Sequence, residues 1–158
     1  MRIEIERKFL IDNDKVPNLD VMANKIIQGY ISTPEDSKET RLRQSELGYF
    51  LTIKSTETFK RVEYEVALSK DQFDDLWELT ENRIIVKERF TLLENGASID
   101  LDLYKNELQS LIMAEVEFDT IEEAESFKIP SWFGQEVTDN HNYDNRCLAT
   151  NGLETIRN

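Results

Sequence analysis

The sequence predicts an α+β fold dominated by antiparallel strands, and three observations lead to this prediction. About eight short segments alternate apolar and polar residues, which is typical of strands whose two faces meet different environments. Short polar turns join many of these segments, and short connections favour antiparallel neighbours. Only two or three segments carry apolar residues at helical spacing, so a few helices should lie against one sheet. The predicted strands cover residues 2–10, 26–32, 39–44, 49–55, 61–67, 83–92, 97–104 and 111–118.

Two capping patterns locate the main helices. Ser69 with Gln72 fits a capping box, and the apolar residues that follow share one face of a helix predicted over 70–81. Thr120 caps a second, short helix that should end before Pro130.

Three connecting segments are less regular. Residues 12–25 are expected to form a loop and a short helix, because their apolar residues have near-helical spacing. Glu94-Asn95-Gly96 is expected to form a hairpin turn. Residues 132–158 mix aromatic and polar residues and receive no assignment.

Length, charge and cysteine content restrict the class of protein. A chain of 158 residues is long enough for one domain with a core, so we expect a single domain over 1–158. The formal net charge of −13 disfavours binding to nucleic acid or to an anionic membrane, since both need a basic surface. No apolar run has the length of a signal peptide core or a membrane span. Cys147 is the single cysteine and cannot form an internal disulfide, so we expect a cytoplasmic protein, either a monomer or a homodimer.

Acidic and basic residues gather on one face of several predicted strands. Alternation directs Glu4, Glu6 and Lys8 to the same side, and two carboxylates spaced i and i+2 stand about 6.5 to 7 Å apart, within reach of hard cations. The pattern recurs at Arg41, Arg43, Lys54, Arg61, Glu63, Glu65, Lys87, Arg89, Asp100, Asp102, Glu115 and Glu117. These positions hold eight acids and seven bases, so the bases are concentrated on the strands while the acidic surplus lies elsewhere.

Periodicity leaves two architectures open. If the charged faces were solvated, the opposite faces would pack as a sandwich, and the charges would need no further role. If the charged faces point inward, the sheet must close into a barrel with a polar lumen.

The order of these motifs resembles the CYTH superfamily, the triphosphate tunnel metalloenzymes. Glu4-Ile5-Glu6-Arg7-Lys8 resembles the family's ExExK signature. The later elements occur in the family's order: Gln28-Gly29-Tyr30, Arg41-Leu42-Arg43, Thr52-Ile53-Lys54, Arg61 with Glu63 and Glu65, Lys87 with Arg89, Asp102, Glu115-Val116-Glu117, and Glu136-Val137-Thr138 followed by Tyr143 and Asn145. The resemblance implies an eight-stranded antiparallel closed β-barrel, a tunnel with a polar lumen and a few flanking helices. Bacterial inorganic triphosphatases are the group that it resembles most.

The resemblance also implies roles for individual residues. Carboxylates without histidine or cysteine partners suit hard cations, so Mg²⁺ or Mn²⁺ is the expected cofactor. The expected metal ligands are Glu4, Glu6, Glu115 and Glu117, with Glu63, Glu65 and Asp102 as further candidates. The expected triphosphate-binding residues are Lys8, Arg41, Arg43, Lys54, Arg61, Lys87 and Arg89. Tyr30 and Lys87 match a pair proposed to activate water in some members, although Tyr30 could equally pack and Lys87 could equally bind phosphate.

The expected reaction is metal-dependent hydrolysis of inorganic triphosphate to pyrophosphate and phosphate. The alternatives are a class IV adenylate cyclase, a thiamine triphosphatase, or a noncatalytic module that binds polyphosphate or nucleotide. One departure from the family pattern lies near the C-terminus. Relatives often carry basic residues around this segment, whereas residues 139–145 contain no lysine or arginine and Arg146 is the first such base after Thr138.

Overall fold

The computed structural model describes residues 4–55 and 62–157, and these form the predicted α+β fold with eight antiparallel strands. The strands are β1 (Ile5–Leu10), β2 (Asn24–Tyr30), β3 (Lys38–Ser45), β4 (Gly48–Ser55), β5 (Glu63–Leu68), β6 (Ile84–Glu94), β7 (Ala97–Tyr104) and β8 (Ile112–Phe118). The helices are α1 (Lys70–Trp77), α2 (Ile121–Ser126), α3 (Asn145–Asn151) and α4 (Glu154–Arg157). In the described ranges, none of these helices has the length and apolar content needed to cross a membrane.

The described chain divides into two compact units. The β1 unit comprises Glu4–Asn24 and Lys87–Asn140, with the strand order β1-β8-β7-β6, where β6 contributes its residues from Lys87 onward. The β3 unit comprises Lys25–Val86 and residues 141–157, with the strand order β2-β3-β4-β5. Each unit therefore contains four neighbouring strands. In each unit, one face of these strands is polar and the other is apolar.

The core of the β1 unit lies on one face of its strands. Its buried residues are Phe9, Ile11, Ile99, Leu101, Ile112, Ala114, Val116, Phe118, Ala124, Phe127 and Phe133. The ring of Phe9 lies 4.7 Å from that of Phe133, and Phe118 meets Phe127 edge-on at 5.3 Å. Fully burying one such side chain contributes about 1.5–3 kcal/mol, so this face anchors the strands and leaves the opposite face for polar residues.

In the β3 unit, helix α1 covers part of the apolar face of the strands. Phe73 of α1 lies 5.0 Å from the ring of Tyr49 and 5.0 Å from the ring of Trp77. The predicted capping box is confirmed, since Ser69 accepts a hydrogen bond from the backbone of Gln72 and the Gln72 side chain accepts one in return. The cap fixes where α1 begins, and the ring contacts fix how it lies on the strands.

Gly29 allows β2 to approach this helix closely. A Cβ atom at this position would lie 2.6 Å from the Cγ2 of Thr80 and 2.9 Å from the indole of Trp77, closer than real Cβ atoms come. A larger residue would therefore push the helix away from the strand.

Several sequence predictions differ from the structure in detail. The helix predicted within 12–25 is wrong, because a 3-10 turn at Asn13–Lys15 is the only helical structure there and β2 already begins at Asn24. The near-helical spacing of apolar residues does not reflect a buried helix face here. Met22 is 90% exposed, and Leu19 packs on the core of the β1 unit from a segment that is not helical. The helix predicted over 70–81 ends as an α-helix at Trp77 and continues only as a 3-10 turn.

Other local predictions are confirmed. The hairpin turn between β6 and β7 has positive φ at Asn95 (52°) and Gly96 (77°), as a two-residue turn requires. Thr120 caps α2 by accepting a hydrogen bond from the backbone of Glu123. The unassigned C-terminal segment forms α3 and α4. The predicted strand residues 2–3 and Arg61 lie outside the described residues.

Candidate functional site

The polar face of the β1 unit begins with carboxylates and a lysine on β1 and β8. In the antiparallel register Glu6 lies opposite Glu117 and Lys8 lies opposite Glu115. The Lys8 ammonium is 3.4 Å from a Glu6 carboxylate oxygen, and Lys8 is buried. Like charges directly opposite one another repel, and a divalent cation offsets that repulsion. The register thus brings together four side chains that the sequence assigned to metal and phosphate binding.

The donor set on this face suits a hard cation. Glu4 precedes β1, and with Glu6, Glu115 and Glu117 it supplies only carboxylate oxygens, the ligands that Mg²⁺ and Mn²⁺ prefer. In the described part of the chain, no three metal-ligating side chains are already gathered around one point.

The same face continues across β7 and β6 as a buried ion-pair cluster. Asp102 and Lys87 both have fully buried side chains, and the Lys87 ammonium donates to Asp102 at 2.6 Å. Arg89 donates to both Asp102 oxygens, at 2.7 and 2.8 Å, and also contacts Asp100 at 3.0 Å and Glu115 at 3.2 Å. Burial alone would lower the pKa of Arg89, but the Asp102 carboxylate outweighs it and holds that pKa well above its usual value. Asp102 thus forms ion pairs with both Lys87 and Arg89 and fixes the directions of their side chains.

These ion pairs bear on the predicted roles of Lys87 as a base and of Asp102 as a metal ligand. Asp102 uses both of its oxygens to accept hydrogen bonds from Lys87 and Arg89. The carboxylate at 2.6 Å pairs with the Lys87 nitrogen, and this arrangement suits Lys87 as a phosphate-binding cation. Its role as a base and the role of Asp102 as a metal ligand stay predictions.

The polar face of the β3 unit carries a buried arginine with an unused donor. Arg41 lies opposite Tyr30 on β2 and Thr52 on β4, and it is only 7% exposed. One of its terminal nitrogens makes a long contact of 3.4 Å to the Thr52 hydroxyl, while its Nε has no hydrogen-bond partner among the described residues. Burial lowers the pKa of Arg41, but nearby Tyr30 and Glu39 help to raise it overall, so the group is cationic. An unpaired buried donor on a cation is suited to an anionic ligand.

Two acids of this polar face lie on β5, which β4 separates from the strand of Arg41. Thr52 donates its hydroxyl hydrogen to Glu65 at 2.9 Å, and Lys54 is 3.4 Å from a Glu63 oxygen. The register places Thr52 opposite Glu65 and Lys54 opposite Glu63. Glu63, Glu65 and Lys54 therefore occupy the polar face, as the alternation predicted.

Gln28, for which the sequence predicted no individual role, joins two predicted site residues. Its side-chain nitrogen donates to the Tyr30 hydroxyl at 2.8 Å, and its oxygen accepts from Arg43 Nε and Nη2 at 3.3 and 3.2 Å. Gln28 and Tyr30 are both buried, and burial raises the pKa of the Tyr30 phenol, so the phenol is neutral at physiological pH. The available signal was alternation, which places residues 28 and 30 on one face.

A second missed contact fixes the segment 136–138 on β1. Arg7 donates from two nitrogens to the two Glu136 oxygens at 2.7 and 2.8 Å, and the Lys8 amide donates to the Thr138 hydroxyl at 3.1 Å. The hydrogen bond from Arg7 lowers the pKa of Glu136. The family-like Glu136-Val137-Thr138 motif thus holds the strand that carries Glu6 and Lys8.

Most of the base-poor C-terminal segment, residues 141–145, belongs to the β3 unit. His141 has an exposed ring that contacts the Asp144 carboxylate at 3.0 Å. Arg146 donates to the backbone carbonyls of Asp36 and Lys38, at 3.2 Å each. Arg146 therefore holds the segment between β2 and β3 in place.

Each polar face combines carboxylates with buried cationic side chains, which is typical of proteins that bind phosphate groups together with divalent cations. The CYTH domain family matches residues 2–143. The chain belongs to this family, and the resemblance drawn from its motifs is confirmed.

Relatives of known name extend over nearly the whole chain. An inorganic triphosphatase from Nitrosomonas europaea is 42% identical over 147 residues, which cover 92% of this chain and 96% of the relative. An inorganic triphosphatase from Acetivibrio thermocellus is 34% identical over 158 residues, with 98% and 97% covered. A crystal structure of an inorganic triphosphatase superposes with a TM-score of 0.71 at 41% identity and covers 94% of this chain and 95% of its own.

Proposed function

We propose that this protein is a triphosphatase that hydrolyses inorganic triphosphate to pyrophosphate and phosphate with the help of a divalent cation. The observation that carries the proposal is the 42% identity to an inorganic triphosphatase across 96% of that relative. The side chains support the same chemistry, because both polar faces hold cations that suit phosphate oxygens.

The proposed metal ligands are carboxylates of the two units. In the β1 unit they are Glu4, Glu6, Glu115 and Glu117, with Asp102 as a further candidate; in the β3 unit they are Glu63 and Glu65. A Mg²⁺ or Mn²⁺ ion held by these carboxylates would neutralise charge between them and the phosphates and would lower the pKa of a bound water. The opposed carboxylates of Glu6 and Glu117 support this assignment, because they form the kind of oxygen-rich pair that a hard cation stabilises.

The proposed substrate-binding residues are basic side chains of the same faces. They are Lys8, Lys87 and Arg89 in the β1 unit, Arg41, Arg43 and Lys54 in the β3 unit, and Arg61, which lies outside the described residues. The free Nε donor of buried Arg41 supports this role most directly, since a phosphate oxygen would satisfy it. Cations that touch the phosphates also stabilise the charge that develops on the leaving pyrophosphate.

We propose complementary roles for the two predicted catalytic residues. Lys87, held by Asp102, binds phosphate as an ammonium. Tyr30 is a neutral phenol that can donate a hydrogen bond. A direct pairing of Tyr30 with Lys87, closure of the strands into one tunnel, a single domain, a monomeric or dimeric state and a cytoplasmic location stay expectations from the sequence.

Phosphate release tests the function. We expect release from inorganic triphosphate with Mg²⁺ or Mn²⁺ and none with a chelator, against parallel reactions with ATP, thiamine triphosphate and pyrophosphate. Absence of release from every substrate would contradict the hydrolase, and cyclic AMP formed from ATP would identify a cyclase instead.

Charge-removing variants test the metal ligands. Glu6→Gln and Glu117→Gln should each lower metal-dependent turnover by about 100-fold or more if these carboxylates hold the cation. Glu122→Gln, the same change at an exposed position of α2, is the matched control and should leave turnover unchanged. Equal turnover in all three variants would refute the metal assignment.

A further inference from the structure

We infer that Gln28 is a positioning residue that fixes the direction of the Tyr30 hydroxyl, so that this hydroxyl donates its hydrogen to bound phosphate or water. The inference rests on the proposed function for its substrate and on the buried contacts of the β3 unit for its geometry.

Arg43 determines which way the Gln28 amide faces. A guanidinium has only donors, and two of them lie 3.3 and 3.2 Å from one Gln28 side-chain atom, which must therefore be the amide oxygen. If the amide were flipped, its NH₂ group would face the two Arg43 donors, and no hydrogen bond could form between them. Gln28 is fully buried, so the clash would not be relieved by bulk water.

The amide orientation in turn determines what Tyr30 does. The Gln28 nitrogen lies 2.8 Å from the Tyr30 oxygen, and an NH₂ group can only donate. The Tyr30 oxygen therefore accepts this hydrogen bond and must direct its own hydrogen elsewhere. Burial raises the pKa of the phenol, so that hydrogen is retained.

The surroundings of Tyr30 indicate the class of acceptor. Tyr30 lies opposite Arg41, which has an unused buried donor, and it shares the polar face with Arg43. Both guanidinium groups can only donate, and the nearby Glu39 carboxylate, which helps to raise the pKa of the phenol, makes no hydrogen bond with the Tyr30 hydroxyl in the described chain. An anionic or water oxygen is therefore the favoured partner of that hydroxyl. The chain from Arg43 through Gln28 to Tyr30 thus prepares a donor in advance of substrate, which is how an enzyme places a hydrogen bond where negative charge develops.

An isosteric change tests the inference. Gln28→Glu keeps the size of the side chain, but its carboxylate can only accept, so it still receives Arg43 and now draws the Tyr30 hydrogen towards itself. We expect the kcat for triphosphate hydrolysis to fall by about 10- to 100-fold with KM changed by less than about 3-fold, because the lost hydrogen bond is strongest in the transition state. Gln44→Glu is the matched control, since Gln44 pairs with Ile27 on the opposite face of β3, and it should keep wild-type kcat.

A double variant separates positioning from general damage. Tyr30→Phe lacks the hydroxyl, so adding Gln28→Glu to it should lower kcat by less than about 2-fold further if Gln28 acts through that hydroxyl. A further loss as large as in the wild-type background would overturn the inference.

A spectroscopic measurement tests the same point without turnover. The tyrosine Fermi doublet in ultraviolet resonance Raman spectra reports whether a phenol accepts or donates its hydrogen bond, and the difference spectrum between wild type and Tyr30→Phe isolates Tyr30. We expect an acceptor signature that changes to a donor signature in Gln28→Glu and does not change in Gln44→Glu. Should Gln28→Glu fail to fold, Gln28→Met removes the Gln28 donor without adding charge and should weaken the acceptor signature.

The two kinds of failure are distinguishable. An unchanged Tyr30 signature in the folded Gln28 variant would overturn the inference, whatever the activity. An absence of triphosphate hydrolysis by the wild-type protein, with the Raman change present, would contradict the proposed function and leave the orientation of Tyr30 established.

Discussion

Replacing Asp102 by Asn should destabilise the protein strongly, because the change leaves the fully buried Lys87 ammonium without its carboxylate. The two groups are 2.6 Å apart, and neither side chain has measurable exposure. Asn keeps the volume of Asp but presents a neutral amide, so the effect reports on charge and hydrogen bonding more than on packing.

The expected magnitude follows from the environment of each partner. Removing one member of a buried ion pair costs about 3–5 kcal/mol. Arg89 is 15% exposed and keeps Asp100 and Glu115 as partners, so we expect the lower part of that range, about 3 kcal/mol. For a chain of this size each 1 kcal/mol lowers Tm by about 2–4 °C, so Tm should fall by about 6–12 °C.

Urea unfolding and thermal melting in the presence of a chelator measure this effect without a contribution from bound metal. Asp100→Asn is the matched control: it is the same change on the same strand and face, but Asp100 is 34% exposed, so it should cost less than about 1 kcal/mol. Adding Lys87→Met to Asp102→Asn should restore about 1–3 kcal/mol of the free energy of unfolding, because it removes the buried ammonium that Asp102→Asn leaves unpaired. If Asp102→Asn costs no more than Asp100→Asn, the argument from buried charge is refuted.

Three further substitutions should each affect stability through a different contact. Glu136→Gln should lower the free energy of unfolding by about 1 kcal/mol at pH 7, and urea unfolding measured at several pH values tests this. The expected effect is small because the Glu136 side chain is 39% exposed. Arg7 lowers the pKa of Glu136 below its ordinary 4.5, so the stabilisation is complete above that pH and fades as pH falls through the folded value; a difference independent of pH would contradict this. Gly29→Ala should cost about 1–3 kcal/mol because its Cβ would lie 2.9 Å from the Trp77 indole, and an unchanged Tm would show that the helix moves freely. Ser69→Ala should cost about 1 kcal/mol in urea unfolding through loss of the α1 cap, whereas Ser69→Thr should retain most of it.

Local patterns in the sequence predicted most of the secondary structure correctly. Alternation identified the eight strands to within a few residues, and the caps at Ser69 and Thr120 identified the starts of α1 and α2. These features depend on residues two to four positions apart, so they can be read without knowing the fold. The prediction within 12–25 failed because the same helical spacing can arise in a segment that packs only Leu19 and leaves Met22 in solvent.

Candidate site residues were predictable as a class, but their partners were not. Alternation placed Glu6, Lys87 and Asp102 on polar faces, and their chemistry indicated phosphate and hard cations. The hydrogen bonds of Asp102 to Lys87 and Arg89 depend on the register between β6 and β7. A shift of that register by one residue would have sent the same side chains to opposite faces.

The sequence by itself determined the α+β class, the polar face of each strand and membership of the CYTH family, because these depend on residue type and order along the chain. Only the tertiary structure decided which charges meet. Arg7 pairs with Glu136, which is 129 positions away in the sequence. Arg43 on β3 orients Tyr30 on the neighbouring β2 through Gln28. The physical reason is that hydrogen bonds and ion pairs need side-chain atoms within about 3–4 Å, and strand register and packing set such distances between residues far apart in the chain.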